Sequence, residues 1–114
     1  SEAGALVVPG LLQRLGFPAA DIEMTTFLVR HHLTLASVAT RRDLDDPATI
    51  ADVLAVVEPY GQPGLQLLHA VTIADGRATG RAGWSEWKAG LVADLVDRIS
   101  ARMAGIAPPP PPTD

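Results

Sequence analysis

The sequence predicts an all-α domain of five to six helices, and three observations carry that expectation. No segment alternates apolar and polar residues with period two for long enough to make a strand. Apolar residues recur instead at spacings of three and four, most clearly at Leu91, Val92, Leu95, Val96, Ile99 and Met103. Helix punctuation falls between such stripes, with Pro18, Asp46-Pro47, Pro63 and Ser85 at starts and glycines at the breaks.

Residues 2–15 form the first expected helix, with Leu6, Val7, Leu11, Leu12 and Leu15 as its apolar positions. Pro9-Gly10 interrupts it, because proline removes a backbone donor and crowds the preceding turn, so a kink or a late start is expected. Gly16 ends it. Phe17-Pro18 opens a second helix, with proline near the first position and Asp21 and Glu23 in the turn where the helix dipole is positive. That helix runs to about His32. Leu33 to Thr40 suggests a short helix or turn, and Arg41-Arg-Asp-Leu-Asp-Asp46 is a charged connector. Asp46-Pro47 is a strong start, a carboxylate N-cap followed by proline at N1. Ile50, Val53, Leu54 and Val57 then share one face up to Glu58-Pro59. Tyr60-Gly61 makes a turn, and Pro63 starts a helix through Leu65, Leu68, Val71 and Asp75 to about Ala78. After Gly80 and Gly83, Trp84-Ser-Glu-Trp87 begins the last helix, capped by Ser85. Residues 105–114 contain Pro108–Pro112, which favours polyproline II and a stiff linker.

Composition narrows the function. Apolar residues make up 47% of the 114, enough for a core, while aromatics are 4%, so that core is built from Leu, Val, Ile and Ala. A net charge of −4 excludes the basic field of a general nucleic-acid binder. The absence of cysteine excludes disulfides, thiolate metal sites and a thiol nucleophile. No apolar run approaches the roughly 20 residues of a membrane span, and no signal peptide is visible. The start at Ser1-Glu2-Ala3, without methionine, suggests a piece cut from something larger.

One stretch stands out against this plain background. In Phe27-Leu-Val-Arg-His-His-Leu33, helical spacing puts His31 on the stripe of Met24, Phe27 and Leu28, with His32 about 100° round. Asp75 stands seven and four residues after Leu68 and Val71, also on an apolar face. Buried imidazoles and carboxylates need partners, since an unpaired polar group costs roughly 1–3 kcal/mol, and a divalent metal suits both types. Each residue also has an ordinary role open to it. The histidines can be a C-terminal pair favoured by the helix dipole, and Asp75 can pair with Arg77 or Arg81. His69 can be a surface or packing residue. Arg41 and Arg42 can contact phosphate, or pair with the acidic residues beside them. Trp84 and Trp87 suit a core or an interface.

Several runs together carry a resemblance: Ser1-Glu-Ala-Gly-Ala5, Arg14-Leu-Gly-Phe17, Leu28-Val-Arg-His-His-Leu33, Ala39-Thr-Arg-Arg-Asp-Leu-Asp-Asp-Pro47, Thr72-Ile-Ala-Asp-Gly-Arg-Ala-Thr-Gly80 and Trp84-Ser-Glu-Trp-Lys88. Over residues 1 to about 104 the chain resembles the HD-domain region of the bifunctional uridylyltransferase/uridylyl-removing enzymes, which modify the PII nitrogen signal protein. The resemblance implies the C-terminal half of an HD-type helical bundle over 1–104, and a linker over 105–114 toward ACT domains. It implies a divalent metal, magnesium or manganese, with Asp75 as the distant aspartate and His32, or His31, as an additional histidine. The family's His-Asp doublet has no counterpart here, so weak metal binding and no hydrolysis are expected of this chain alone. For the parent it implies cytoplasmic hydrolysis of UMP from PII, with UTP and glutamine bound by other domains, and Arg41, Arg42 or Arg77 as phosphate contacts. A non-catalytic helical module that packs, self-associates or transmits a signal is the alternative.

Overall fold

A computed structural model describes residues 2–78 and 84–105, and among them every regular element is helical. In chain order these are α1 (Glu2–Arg14), α2 (Ala19–His31), α3 (Thr34–Arg41), α4 (Pro47–Val57), a 3₁₀ turn (Glu58–Tyr60), α5 (Gly61–Ala78) and α6 (Glu86–Met103). The all-α expectation holds, with six α-helices among the described residues. The segment at Gly80 and Gly83 and the polyproline stretch at 108–112 lie outside them.

Helix α6 is the axis of the core. Val92, Leu95, Val96 and Ile99 fall on one face of it and are all buried. Against that face pack α3 through Leu35 and Ala39, α4 through Ile50, Val53 and Val57, and α5 through Leu65 and Leu68. Each fully buried Leu, Ile or Val stabilises the fold by about 1.5–3 kcal/mol relative to exposure. Arg98, on the polar side of α6, fastens the α3–α4 connector. Its Nη1 donates to Leu44 O at 2.6 Å and to Asp45 Oδ1 at 3.0 Å, while Nε donates to Asp94 Oδ1 at 3.0 Å. Hydrogen bonds to Asp94 and then to Asp45 push the guanidinium pKa upward. The charged connector is therefore ion-paired outward, Asp45 to Arg98 of α6 and Arg42 to Asp52 of α4 at 2.8 Å.

Local chemistry sets most boundaries. Asp46 accepts from Ala48 N, with Pro47 at N1, and Ser85 accepts from Lys88 N. Gly16, at φ +83°, closes α1: its N–H donates to Gln13 O, and Phe17 N–H donates to Leu12 O. That double bond satisfies two terminal carbonyls, and its left-handed residue suits glycine.

Three boundaries depart from expectation. Helix α1 continues through Pro9 and Gly10 instead of starting late. The helix tolerates the lost backbone bond because α1 lies along α2, with Ala5 buried and Val8 and Leu12 half-buried. Pro18 occupies the N-cap of α2 rather than its first turn. Helix α5 begins at Gly61, two residues before Pro63, because Gly61 reverses the chain at φ +65° and the 3₁₀ turn runs straight into it.

Candidate functional site

Helices α2 and α5 pack against each other. A Cβ on Gly64, in the first turn of α5, would lie 3.7 Å from Met24 Cε. Val71 of α5 shares an open groove of about 380 Å³ with Thr25, Leu28, Val29 and His32 of α2 and its C-cap. Asp75 stands one turn beyond Val71 on the same face of α5.

Each histidine is held by its local sequence. His32 is the C-cap of α2, and its Nδ1 lies 2.7 Å from Val29 O. A carbonyl oxygen only accepts, so Nδ1 carries the proton, and neutral His32 keeps its lone pair on Nε2. His31 stands differently: its ring lies against Phe27 at 5.5 Å between centroids, tilted 49°, and its Nδ1 is 3.2 Å from Thr34 Oγ1. His31, His32 and Asp75 are all half-buried. The inward aim expected of them is thus only partial.

Trp84 covers the neighbouring turn of α5. A Cβ on Gly76 would fall onto the Trp84 indole, so that ring rests directly on the helix backbone beside Asp75. Trp84 is half-buried against the core, whereas Trp87 is 69% exposed. Residue type and spacing alone did not separate the two. A glycine inside an 18-residue helix is the signal that a ring or another backbone comes close.

The other candidates lie elsewhere. Among the described residues Asp75 makes no ion pair with Arg77, and Arg81 lies outside them. Arg77 is exposed in the last turn of α5, two residues past Asp75. Arg41 ends α3, the helix after the histidine pair, and Arg42 is engaged by Asp52. His69 precedes Val71 by two residues, about 200° round α5 and away from the groove.

By donor type, an imidazole with its lone pair on Nε2 and a carboxylate fit a divalent cation. By number they fall short. A protein site takes about three or more side-chain ligands, and among the described residues no three His, Asp or Glu side chains gather in one place. No described helix is long and apolar enough to cross a membrane.

No family model matches the chain, and no solved structure matches it. Curated proteins do. The chain is 51% identical over 106 residues, 92% of its length, to a bifunctional uridylyltransferase/uridylyl-removing enzyme of Streptomyces coelicolor. It is 48% identical over 106 residues to the enzyme so named from Mycobacterium tuberculosis strain H37Rv, and 44% over 105 residues to that of Bradyrhizobium diazoefficiens, each again over 92% of the chain. It spans 11–13% of the length of these relatives, so the likeness is to one segment of a much longer protein.

Proposed function

We propose that this chain is the C-terminal part of the uridylyl-removing, HD-type hydrolase domain of a bifunctional uridylyltransferase/uridylyl-removing enzyme. In this reading His32 and Asp75 contribute to a divalent metal site completed by residues outside the 114. The observation that supports it is the open groove that His32, its Nδ1 committed to Val29 O, shares with Val71, one helical turn before Asp75 on α5. The similarity to enzymes of that name supports the choice of reaction.

The reaction is hydrolysis of a phosphodiester between UMP and a tyrosine of a PII-type signal protein. Water adds at phosphorus, the bond to the tyrosyl oxygen breaks, and a phenol of pKa about 10 is a tolerable leaving group. When bound, magnesium or manganese would lower the pKa of water and offset charge on the phosphate. The chain's own residues prepare that chemistry. Val29 O fixes the His32 tautomer, so Nε2 is the ligating nitrogen, the backbone-to-histidine support common in metal sites. Leu28, Val29 and Val71 form an apolar wall that limits water on one side and strengthens nearby electrostatics. Of the three arginines suggested for phosphate, Arg77 shares the C-terminal turn of α5 with Asp75 and is the best placed. His31, held by Phe27 and Thr34, is the lesser candidate ligand. The enzyme works in the cytoplasm, with UTP and glutamine handled by other domains, and this segment alone holds metal weakly and hydrolyses nothing. A second reading, a non-catalytic module that transmits signals between domains, draws support from the exposed Trp87 on α6.

The test is Asp75→Ala in the full-length enzyme. UMP release from modified PII should fall at least a hundredfold at saturating metal while uridylylation and the thermal melt are retained. His32→Ala should do the same less completely. Normal release by Asp75→Ala would remove Asp75 from the site, and a collapsed melt would make it structural.

A further inference from the structure

We infer that Trp84 is the positioning residue for Asp75. Its indole, seated on the backbone of Gly76, holds the last turn of α5 and so fixes where the Asp75 carboxylate stands. The inference rests on the reading of Asp75 as a metal ligand and deepens it.

Asp75 lies in the last turn of a helix that ends at Ala78, and terminal turns open at little cost in free energy unless something packs on them. The local sequence weakens this turn further, because Gly76 is a poor helix former. Arg77 and Ala78 are exposed, and among the described residues Asp75 makes no ion pair. The order of the turn therefore has to come from packing, and Gly76 is where the packing falls. A Cβ there would meet Cδ2, Cε3 and Cε2 of Trp84, the last at 2.9 Å. Three adjacent atoms of the six-membered ring thus lie over the backbone of the residue that follows Asp75. The glycine that weakens the turn is what lets the ring come down on it.

Trp84 is itself tied to the core. It is half-buried and packs against the buried cluster. It also stands immediately before Ser85, the N-cap of α6, whose hydroxyl accepts from Lys88 N. Helix α6 thus sets the ring, and the ring sets the turn. One turn before Asp75, Thr72 is buried and its hydroxyl donates to Leu68 O at 2.7 Å. Helix α5 is anchored up to that point by its own buried face, and only the turn beyond it depends on Trp84. An indole suits the task, being large and rigid, with two side-chain torsions to hold.

Hydrogen exchange and metal binding in the full-length enzyme test this together. Trp84→Ala should speed amide exchange in residues 75–78 of the metal-free enzyme by about tenfold. It should also weaken manganese binding by about tenfold, followed by the electron paramagnetic resonance signal of the free ion. Trp84→Phe keeps a flat ring and should recover most of both. Val57→Ala opens a cavity beside the 3₁₀ turn that leads into the start of α5. It should lower the thermal melt but leave exchange in 75–78 and manganese affinity unchanged, which sets a general loss of stability apart. Trp84→Leu, apolar but without a ring, is held to the same outcomes as Trp84→Ala and replaces it if that variant does not fold. Unchanged exchange in 75–78 would overturn the inference. So would faster exchange with manganese affinity intact while Asp75→Ala loses it. Intact affinity in both variants would instead remove Asp75 from the metal site, and the inference with it.

Discussion

Replacing Gly76 with alanine sets two opposed effects against each other. Glycine in the interior of α5 costs about 1 kcal/mol of helix stability relative to alanine, so the substitution gains that much from the helix alone. Against it stands the Trp84 indole, which occupies the space the new methyl needs. If the ring is displaced, roughly 100 Å² of its buried surface returns to water, a loss of about 2.5 kcal/mol at 25 cal/mol per Å². If the ring stays, overpacking costs about 1–3 kcal/mol. Net of the helix gain, Gly76→Ala should be destabilising by about 1.5 kcal/mol if the ring moves, near 6 °C in Tm for a chain of this size, and by up to about 2 kcal/mol if it stays. In a Trp84→Ala background the obstruction is gone, and the same substitution should stabilise by about 1 kcal/mol. The coupling between the two positions is then about 2.5 kcal/mol if the ring moves and up to about 3 kcal/mol if it stays, above the scatter of independent sites. Urea unfolding of the four proteins, followed by circular dichroism, measures it. A Gly76→Ala protein that melts higher than its parent, or a cycle that closes without coupling, would refute the seating of Trp84 on α5.

Two further perturbations address the connector and the helix starts. Arg98→Met keeps the aliphatic stem but removes the donor to Leu44 O. Because the guanidinium is more than a third exposed, the expected loss is only about 1 kcal/mol, checked by denaturation at low and high salt; no loss at either would mean the connector is held by Leu44 burial alone. Asp46→Ala, which deletes the α4 N-cap, should lower stability by about 1 kcal/mol and speed amide exchange in the first turn of α4, and unchanged exchange there would show that Pro47 alone sets the start.

Features governed by local chemistry were legible in the sequence. The stripe from Val92 to Ile99, the Asp46 and Ser85 caps and the Gly16 terminator each depend on neighbours within a turn, and each is where its residue type places it. What depended on distant partners was not. Proline in α1 argues for a break, and only the support of α2 lets the helix continue. Trp84 and Trp87 are three apart, a spacing that suggests one face, but α6 begins at Glu86 and Trp84 stands ahead of the helix, free to turn onto α5. For the candidate site, apolar spacing put His31, His32 and Asp75 near a core-facing stripe. It carried no information on how α2 and α5 pack, because that follows from side-chain contacts between the helices. Nor could it say which nitrogen of His32 is protonated, since that rests on the carbonyl of Val29.

The Phe27 ring has a consequence for anyone wishing to watch this end of the molecule. It stacks on Tyr60 at 4.0 Å, with planes 19° apart, and also meets His31 at 5.5 Å. Tyr60 is the only tyrosine in the chain. Its ring signals in a proton spectrum therefore need no assignment, and they are shifted by the magnetic anisotropy of a neighbour that also touches the histidine pair. Any event that reorients the end of α2 should be visible as a displacement of one isolated set of resonances, without a label or a substitution.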